Sequence, residues 1–319
     1  MTAAPALPNF FVVGAPKAGT TSLYRYLKQH PQIYMSPVKE PSYFASEVRV
    51  ENLCESFKRH VRLQSAHLRE YIDDGRPRDP YGWLVLNWHD YKSLFNRVKE
   101  EKAIGEATVS YLWSATAAGN IHSRIPEAKI VMILRDPAER AFSHYMHQLA
   151  EGLTRSTFRE HIEQAERGNS GEIDALHPFL ELGLYCEQVK RYLDLFPREN
   201  IRIYWYEDEW REPKRLLADL FRFLNVDPAF APDTSQRALE RRAPRLIPMV
   251  YLLKKYDLWE PARRIIPAGL RPGIRSAVFR RRASLVMDAK DREYLVGYYR
   301  DDVRKLESLL NRDLEAWLR

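Results

Sequence analysis

Two kinds of apolar pattern alternate along the chain. Short unbroken runs occur at residues 10–13 (FFVV), 32–35 (QIYM), 102–106 (KAIGE), 129–134 (KIVMIL) and 201–206 (IRIYWY). Their length and continuous apolarity suit parallel strands covered on both faces, with FFVV as a central strand. Between the runs the spacing is helical: from Thr20, Leu23, Tyr26 and Leu27 share one face, and His30-Pro31 ends the pattern. Strands alternating with helices predict an α/β fold, a three-layer α/β/α arrangement around a parallel sheet of about five strands. Ligands are then expected at the carboxyl ends of those strands. No internal repeat or low-complexity linker interrupts the 319 residues, so the chain reads as a single domain, 1–319. A helical extension closes it, and residues 236–290 form a basic lid or extension within it.

Between the first strand and its helix lies VVGAPKAGTTS, residues 12–22. Gly14 and Gly19 keep the Gly-x4-Gly spacing of a nucleotide triphosphatase loop, but Thr20 stands where that loop carries its lysine. The cation, Lys17, lies three residues upstream, inside the loop. A glycine turn that follows a buried strand and opens a helix makes a P-loop-like phosphate cradle. Free amides and the helix dipole meet the anion there, and Thr20, Thr21 and Ser22 add hydroxyls. The fourth strand ends in Leu134 followed by Arg135, with no metal-holding Asp at that position. The pattern therefore implies a site that holds charge with cations, without a metal.

Composition narrows the context. A share of 45% apolar residues, 12% of the total being aromatic, suffices for a real core. No window approaches eighteen uncharged apolar residues, and the N-terminal stretch lacks a basic start, hydrophobic run and cleavage site. The chain is accordingly expected to be soluble and cytoplasmic. Two cysteines, Cys54 and Cys186, make neither a disulfide framework nor a metal cluster. Net charge is +7, yet residues 236–282 hold thirteen Arg or Lys against three Asp or Glu, so one segment carries the excess. Such a patch suits an anionic partner or a solvated face. Within it, residues 246–282 mix aliphatic and aromatic residues with basic ones, a composition that also suits peripheral contact with an anionic membrane.

GAPKAGTTSLYRYLKQHPQI, followed by KEPSYF and then ILRDPAERAFSHY, resembles the sulfotransferase family that uses 3′-phosphoadenylyl sulfate (PAPS), especially its bacterial and heparan-sulfate-type branches. The likeness covers most of residues 9–225. It implies an enzyme that moves a sulfuryl group from PAPS to an acceptor hydroxyl and releases 3′,5′-bisphosphoadenosine (PAP), with no metal required. It also implies roles. The loop residues Lys17, Ala18, Gly19, Thr20, Thr21 and Ser22 would grip the 5′-phosphosulfate, and Lys17 would stabilise the leaving phosphate oxygen. Arg135 and Ser143 would bind the 3′-phosphate. The residue chemistry agrees, since Arg offers a planar permanent cation and Ser a directional donor about two helical turns along. Glu40, after the second strand, matches a catalytic glutamate and is the candidate general base. Lys39 reads equally as a helper or as a solvated neighbour.

Departures from the family pattern are visible too. Ser42 stands where some relatives have a histidine, and Ala107 replaces an active-site lysine of the heparan-sulfate-type enzymes. Thr108 and Tyr111 read as pocket liners or as packing. Adenine stacking has five candidates, Trp83, Trp88, Trp113, Tyr185 and Trp205. The acceptor, a small molecule, glycan or lipid-linked hydroxyl, has no diagnostic pattern, and neither does the oligomeric state. Alternatives from other classes are a PAPS- or PAP-binding protein without catalysis and a nucleotide kinase with a degenerate loop. A nucleic-acid-binding module lacks any recognisable reading motif.

Overall fold

The computed structural model describes residues 6–55, 57–59, 61, 68, 70, 84–167, 173–174, 177–210, 212–235, 242–244, 279–281 and 286–319. Five strands, β1 (Phe10–Val12), β2 (Ile33–Met35), β3 (Ala103–Ala107), β4 (Lys129–Leu134) and β5 (Ile201–Trp205), make one parallel sheet in the order β2-β3-β1-β4-β5. The five apolar runs thus become the five strands, each within two residues of its expected ends. FFVV occupies the centre. Phe10 pairs with Gly105 on one side and Lys129 on the other, and no side chain of β1 reaches solvent.

Helices cover the sheet. Among the described residues they include α1 (Thr20–Leu27), α2 (Trp88–Ser93), α3 (Ser110–Trp113), α4 (Ala117–Arg124), α5 (Pro137–Ala150), α6 (Phe158–Arg167), α7 (Tyr185–Leu193), α8 (Tyr206–Glu209), α9 (Pro213–Phe223) and α10 (Ala289–Leu310). The spacing read from Thr20 holds: Leu23, Tyr24, Tyr26 and Leu27 of α1 are buried and Arg25 is exposed. His30 then turns inward, its ring packed between Phe221 and Phe230 at 4.6 and 4.7 Å. The long helix α10 lies against α5 and α7, and beyond it Trp317 packs on Trp205 and Tyr185.

Two facts about α5 position the site. Its N-cap Asp136 accepts from the amides of Ala138 (2.9 Å) and Glu139 (3.1 Å), and Pro137 opens the first turn, as helix starts favour. Arg292 of α10 reaches back to Asp136 at 2.9 Å, tying the C-terminal helix to this cap. Of the basic segment 236–290, the described parts are β6 (Arg242–Pro244), β7 (Phe279–Arg281) and residues 286–290. The two strands pair antiparallel, and β6 lies against α5. The arginines expected to cover a phosphate, and the membrane-contact stretch 246–282, otherwise lie outside the described residues. Among the described residues, no helix is long and apolar enough to cross a membrane.

Candidate active site

The glycine turn sits where the chain leaves β1. Its entry continues along β4, with the amides of Val13 and Ala15 bonding to the carbonyls of Val131 and Ile133, each at 2.9 Å. Gly14 is required there by contact: a Cβ would stand 2.4 Å from the Ile133 backbone nitrogen. The turn then reverses through two left-handed residues, Lys17 at φ 67° and Gly19 at φ 90°. A left-handed lysine is costly, on the order of 1–3 kcal/mol, and such strain concentrates at ligand sites. Gly19 is also the N-cap of α1. No side chain caps that end and its first turn holds no acidic residue, which leaves the amides and the positive end of the helix dipole available to an anion. Thr20 and Ser22 are buried, Thr21 is partly exposed, and Ala18 is fully packed.

Arg135 leaves the end of β4 and folds across this turn. Its Nη1 donates to the Lys17 carbonyl at 3.0 Å, its Nη2 lies 3.4 Å from Glu139, and its guanidinium rests 4.5 Å from the centre of the Tyr206 ring. The Nε is buried with no hydrogen-bond partner. A buried guanidinium with an unfilled donor beside a phosphate-type loop suits an anionic ligand. Ser143 is buried on α5 two turns beyond, so the expected pair lies along one helix start. Next to it lies His144, partly buried, and desolvation, then the charges of Arg140 and Lys17, hold its imidazole well below the usual histidine range. It is a neutral group that feels the loop cation.

Glu40 lies at the same sheet edge. The chain after β2 bonds to β3, Ser36 to the Gly105 carbonyl (2.7 Å) and Glu40 to the Ala107 carbonyl (2.9 Å), while Thr108 bonds to Val12 (3.0 Å). Glu40 and Ser42 both take left-handed conformations, φ 67° and 55°, around Pro41. The solvated reading of Lys39 is overturned: it is 2% exposed, and its ammonium pairs with the Glu40 carboxylate.

Thr108 and Tyr111 prove to be packing residues. Both are buried around Glu106, a carboxyl with no exposed surface. Tyr91 and Thr108 donate to it, the latter at 2.9 Å, and Tyr111 adds a further hydrogen bond. Burial pushes Glu106 up to about 7, and the three hydroxyls oppose that rise only in part. Its folded-state proton affinity exceeds that of an ordinary carboxylate, so its contribution to stability is complete below about pH 4.5 and disappears as pH rises through about 7. We expect Glu106→Gln to remove about 3 kcal/mol of pH-dependent stability across that window. Thermal midpoints of both proteins between pH 4.5 and 8 check this, since only their difference isolates Glu106; parallel curves refute it.

Two of the five stacking candidates resolve into core. Tyr185 is fully buried with its hydroxyl on the Arg135 carbonyl (3.0 Å), and Trp205 is buried against Trp317. Trp88 stacks on Tyr91 beneath Arg124, and Trp113 meets His177 edge-on. Trp83 lies outside the described residues. Sequence reasoning missed the aromatics that do flank the loop, Tyr206 on Arg135 and Trp210. The Trp210 Nε1 donates to the Ala18 carbonyl at 3.2 Å, and its ring would lie 2.4 Å from a Cβ on Gly19. Their signal was position: they follow the carboxyl end of β5, as Glu40 follows that of β2.

Comparison with known proteins agrees with this geometry. The curated relatives include carbohydrate sulfotransferase 15 from Mus musculus, 27% identical over 75% of this chain, and the human bifunctional heparan sulfate N-deacetylase/N-sulfotransferase 3, 27% identical over 98%. The chain spans 46% and 31% of those two proteins. Among solved structures, a sulfotransferase from Alicyclobacillus acidocaldarius is 32% identical, covers 98% of this chain with 100% of its own, and superposes with a TM-score of 0.69. The sequence profile described as the sulfotransferase family matches residues 8–231, which include the glycine turn, Glu40, Arg135 and Ser143. A shared parallel sheet, a loop with its cation displaced into the turn and a profile spanning both make the conclusion direct: the chain belongs to the sulfotransferase family.

Proposed function

We propose that this chain transfers the sulfuryl group of PAPS to an acceptor hydroxyl by in-line displacement, releasing PAP. One observation carries the reading: the uncapped amides of α1 and the loop cation Lys17 lie under a buried Arg135 that has a donor to spare. Residues 17–22 hold the 5′-phosphosulfate and Arg135 with Ser143 the 3′-phosphate. The acceptor oxygen attacks sulfur, its proton passes to Glu40, and the sulfur–oxygen bond to phosphate breaks. Lys17 and the loop amides meet the charge that grows on the departing oxygen. Ala107 offers no cation, so this stabilisation rests on the loop.

A cavity of about 250 Å³ opens beside Ser42, two residues past Glu40, between the 43–49 loop and α4. Its wall is braced: Glu47 accepts from Ser114 (2.6 Å) and Thr116, and Asn120 donates to the Phe44 carbonyl at 2.9 Å. Tyr43, Asn120, Ser123, Arg49 and Arg124 line it, a polar and aromatic set suited to a sugar ring. With relatives named for carbohydrate and heparan sulfate transfer, a glycan hydroxyl is the acceptor class we favour. The whole chain acts as one catalytic domain, and the β6–β7 pair beside α5 begins a lid over the 3′-phosphate end.

Sulfur-labelled PAPS offered with pooled chondroitin, heparosan, phenolic and lipid-linked sugar acceptors tests the reading. The expected result is a sulfated glycan, together with calorimetric binding of PAP that exceeds that of ATP. Preference for ATP with Mg²⁺ would return the chain to the kinase class.

A further inference from the structure

Among the described residues, one buried cation lies directly against the candidate base. Lys39 is almost wholly enclosed, whereas the Glu40 side chain it grips keeps 22% of its surface open. Removing an ammonium from water costs several kcal/mol, and lysines are seldom fully enclosed without a partner. The segment holds further cost. Glu40 and Ser42 are left-handed non-glycine residues, Pro41 between them fixes its own φ, and the Glu40 amide is tied to Ala107. Backbone strain and an enclosed cation therefore meet at one carboxylate. A surface glutamate needs neither.

We propose that Lys39 is a positioning residue for Glu40, acting through it rather than on the sulfonucleotide. The proposal rests on Glu40 as the base. Enclosed behind the carboxylate, the ammonium has its donor on Oε1 and so turns the carboxylate toward the open side. Ser42, two residues on, lines the cavity. Hydrogen bonding from behind restricts rotation about the last side-chain torsion, which is otherwise broad for glutamate. Ser42 completes the support: its hydroxyl lies 3.4 Å from the Glu40 carbonyl and 3.2 Å from the Ser110 hydroxyl, fixing the turn that carries the base.

The test uses the full chain and PAPS hydrolysis, with water as the acceptor, so that no glycan need be identified. Lys39→Met should slow hydrolysis about 10- to 100-fold, the scale on which misplaced reacting groups act, with PAP affinity within about twofold of wild type. Lys39→Arg, which keeps the charge, should recover most of the rate. The double variant Lys39→Met/Glu40→Gln should be no slower than Glu40→Gln alone, because a residue that acts through another has nothing left to lose. Multiplying losses, or a Lys39→Met enzyme as fast as wild type beside a slow Glu40→Gln, overturns the proposal. A Glu40→Gln enzyme of full speed instead overturns the base assignment. Should Lys39→Met not fold, nitrogen-15 spectra of the lysine ammonium decide: a slowly exchanging Lys39 signal is expected in wild type and in the presence of PAP. It should vanish in Glu40→Gln, and its persistence there refutes the pairing.

Discussion

Glu40→Gln is expected to lower the rate of sulfuryl transfer by about a hundred- to ten-thousand-fold, the usual worth of a positioned general base. The substitution keeps the side chain's size and one acceptor oxygen but cannot take up the acceptor's proton. PAP affinity should change little, because residues 17–22, Arg135 and Ser143 are left as they are. Single-turnover transfer from labelled PAPS, set beside calorimetric titration of PAP, separates the two effects. A variant that transfers at the wild-type rate would refute the base. An inactive wild type that still binds PAP would favour the non-catalytic reading instead.

The second large effect is expected at Arg135. Its guanidinium is enclosed, spans the loop through the Lys17 carbonyl and rests on Tyr206, so truncation both removes a charge and loosens the turn. Arg135→Ala should weaken PAP binding by about 2–5 kcal/mol, the range for removing one partner of a buried charge pair. Binding of 5′-AMP, which lacks the second phosphate, should weaken at least tenfold less, on the order of 1.4 kcal/mol less. Arg135→Lys should fall between, having charge without the planar fork. Equal losses for both nucleotides would mean that Arg135 serves the loop alone and that the second phosphate is held elsewhere.

Much of this was readable before any coordinates. FFVV, KIVMIL and the glycine turn announce themselves locally, because a doubly covered strand and a phosphate loop are each specified by a few consecutive residues. Arg135 was readable for the same reason, standing at a strand end before an Asp-Pro helix start. What stayed hidden depends on distant contacts. Trp210 meets Gly19 across 191 positions, and nothing near either residue encodes the encounter. Lys39 reads from sequence as a helper or as a solvated neighbour, and its enclosure is set by the surrounding packing. Thr108 and Tyr111 read as pocket walls or as packing, and Glu106, a neighbour in sequence, decides for packing as their shared partner in the interior. Local pattern gives the strands and the glycine turn, and tertiary packing decides which side chains are enclosed around them.

The place of β1 has a bearing on how the molecule is made. Phe10 and its neighbours are translated before their two flanking strands, residues 103–107 and 129–134, which follow roughly a hundred residues later. Throughout that interval an apolar segment with two open hydrogen-bonding edges has no native neighbour. Distant parallel pairing is slow to form and exposes aggregation-prone surface while it waits. The segment that leads into the glycine turn is thus the strand whose pairing waits longest, until β4 has been synthesised.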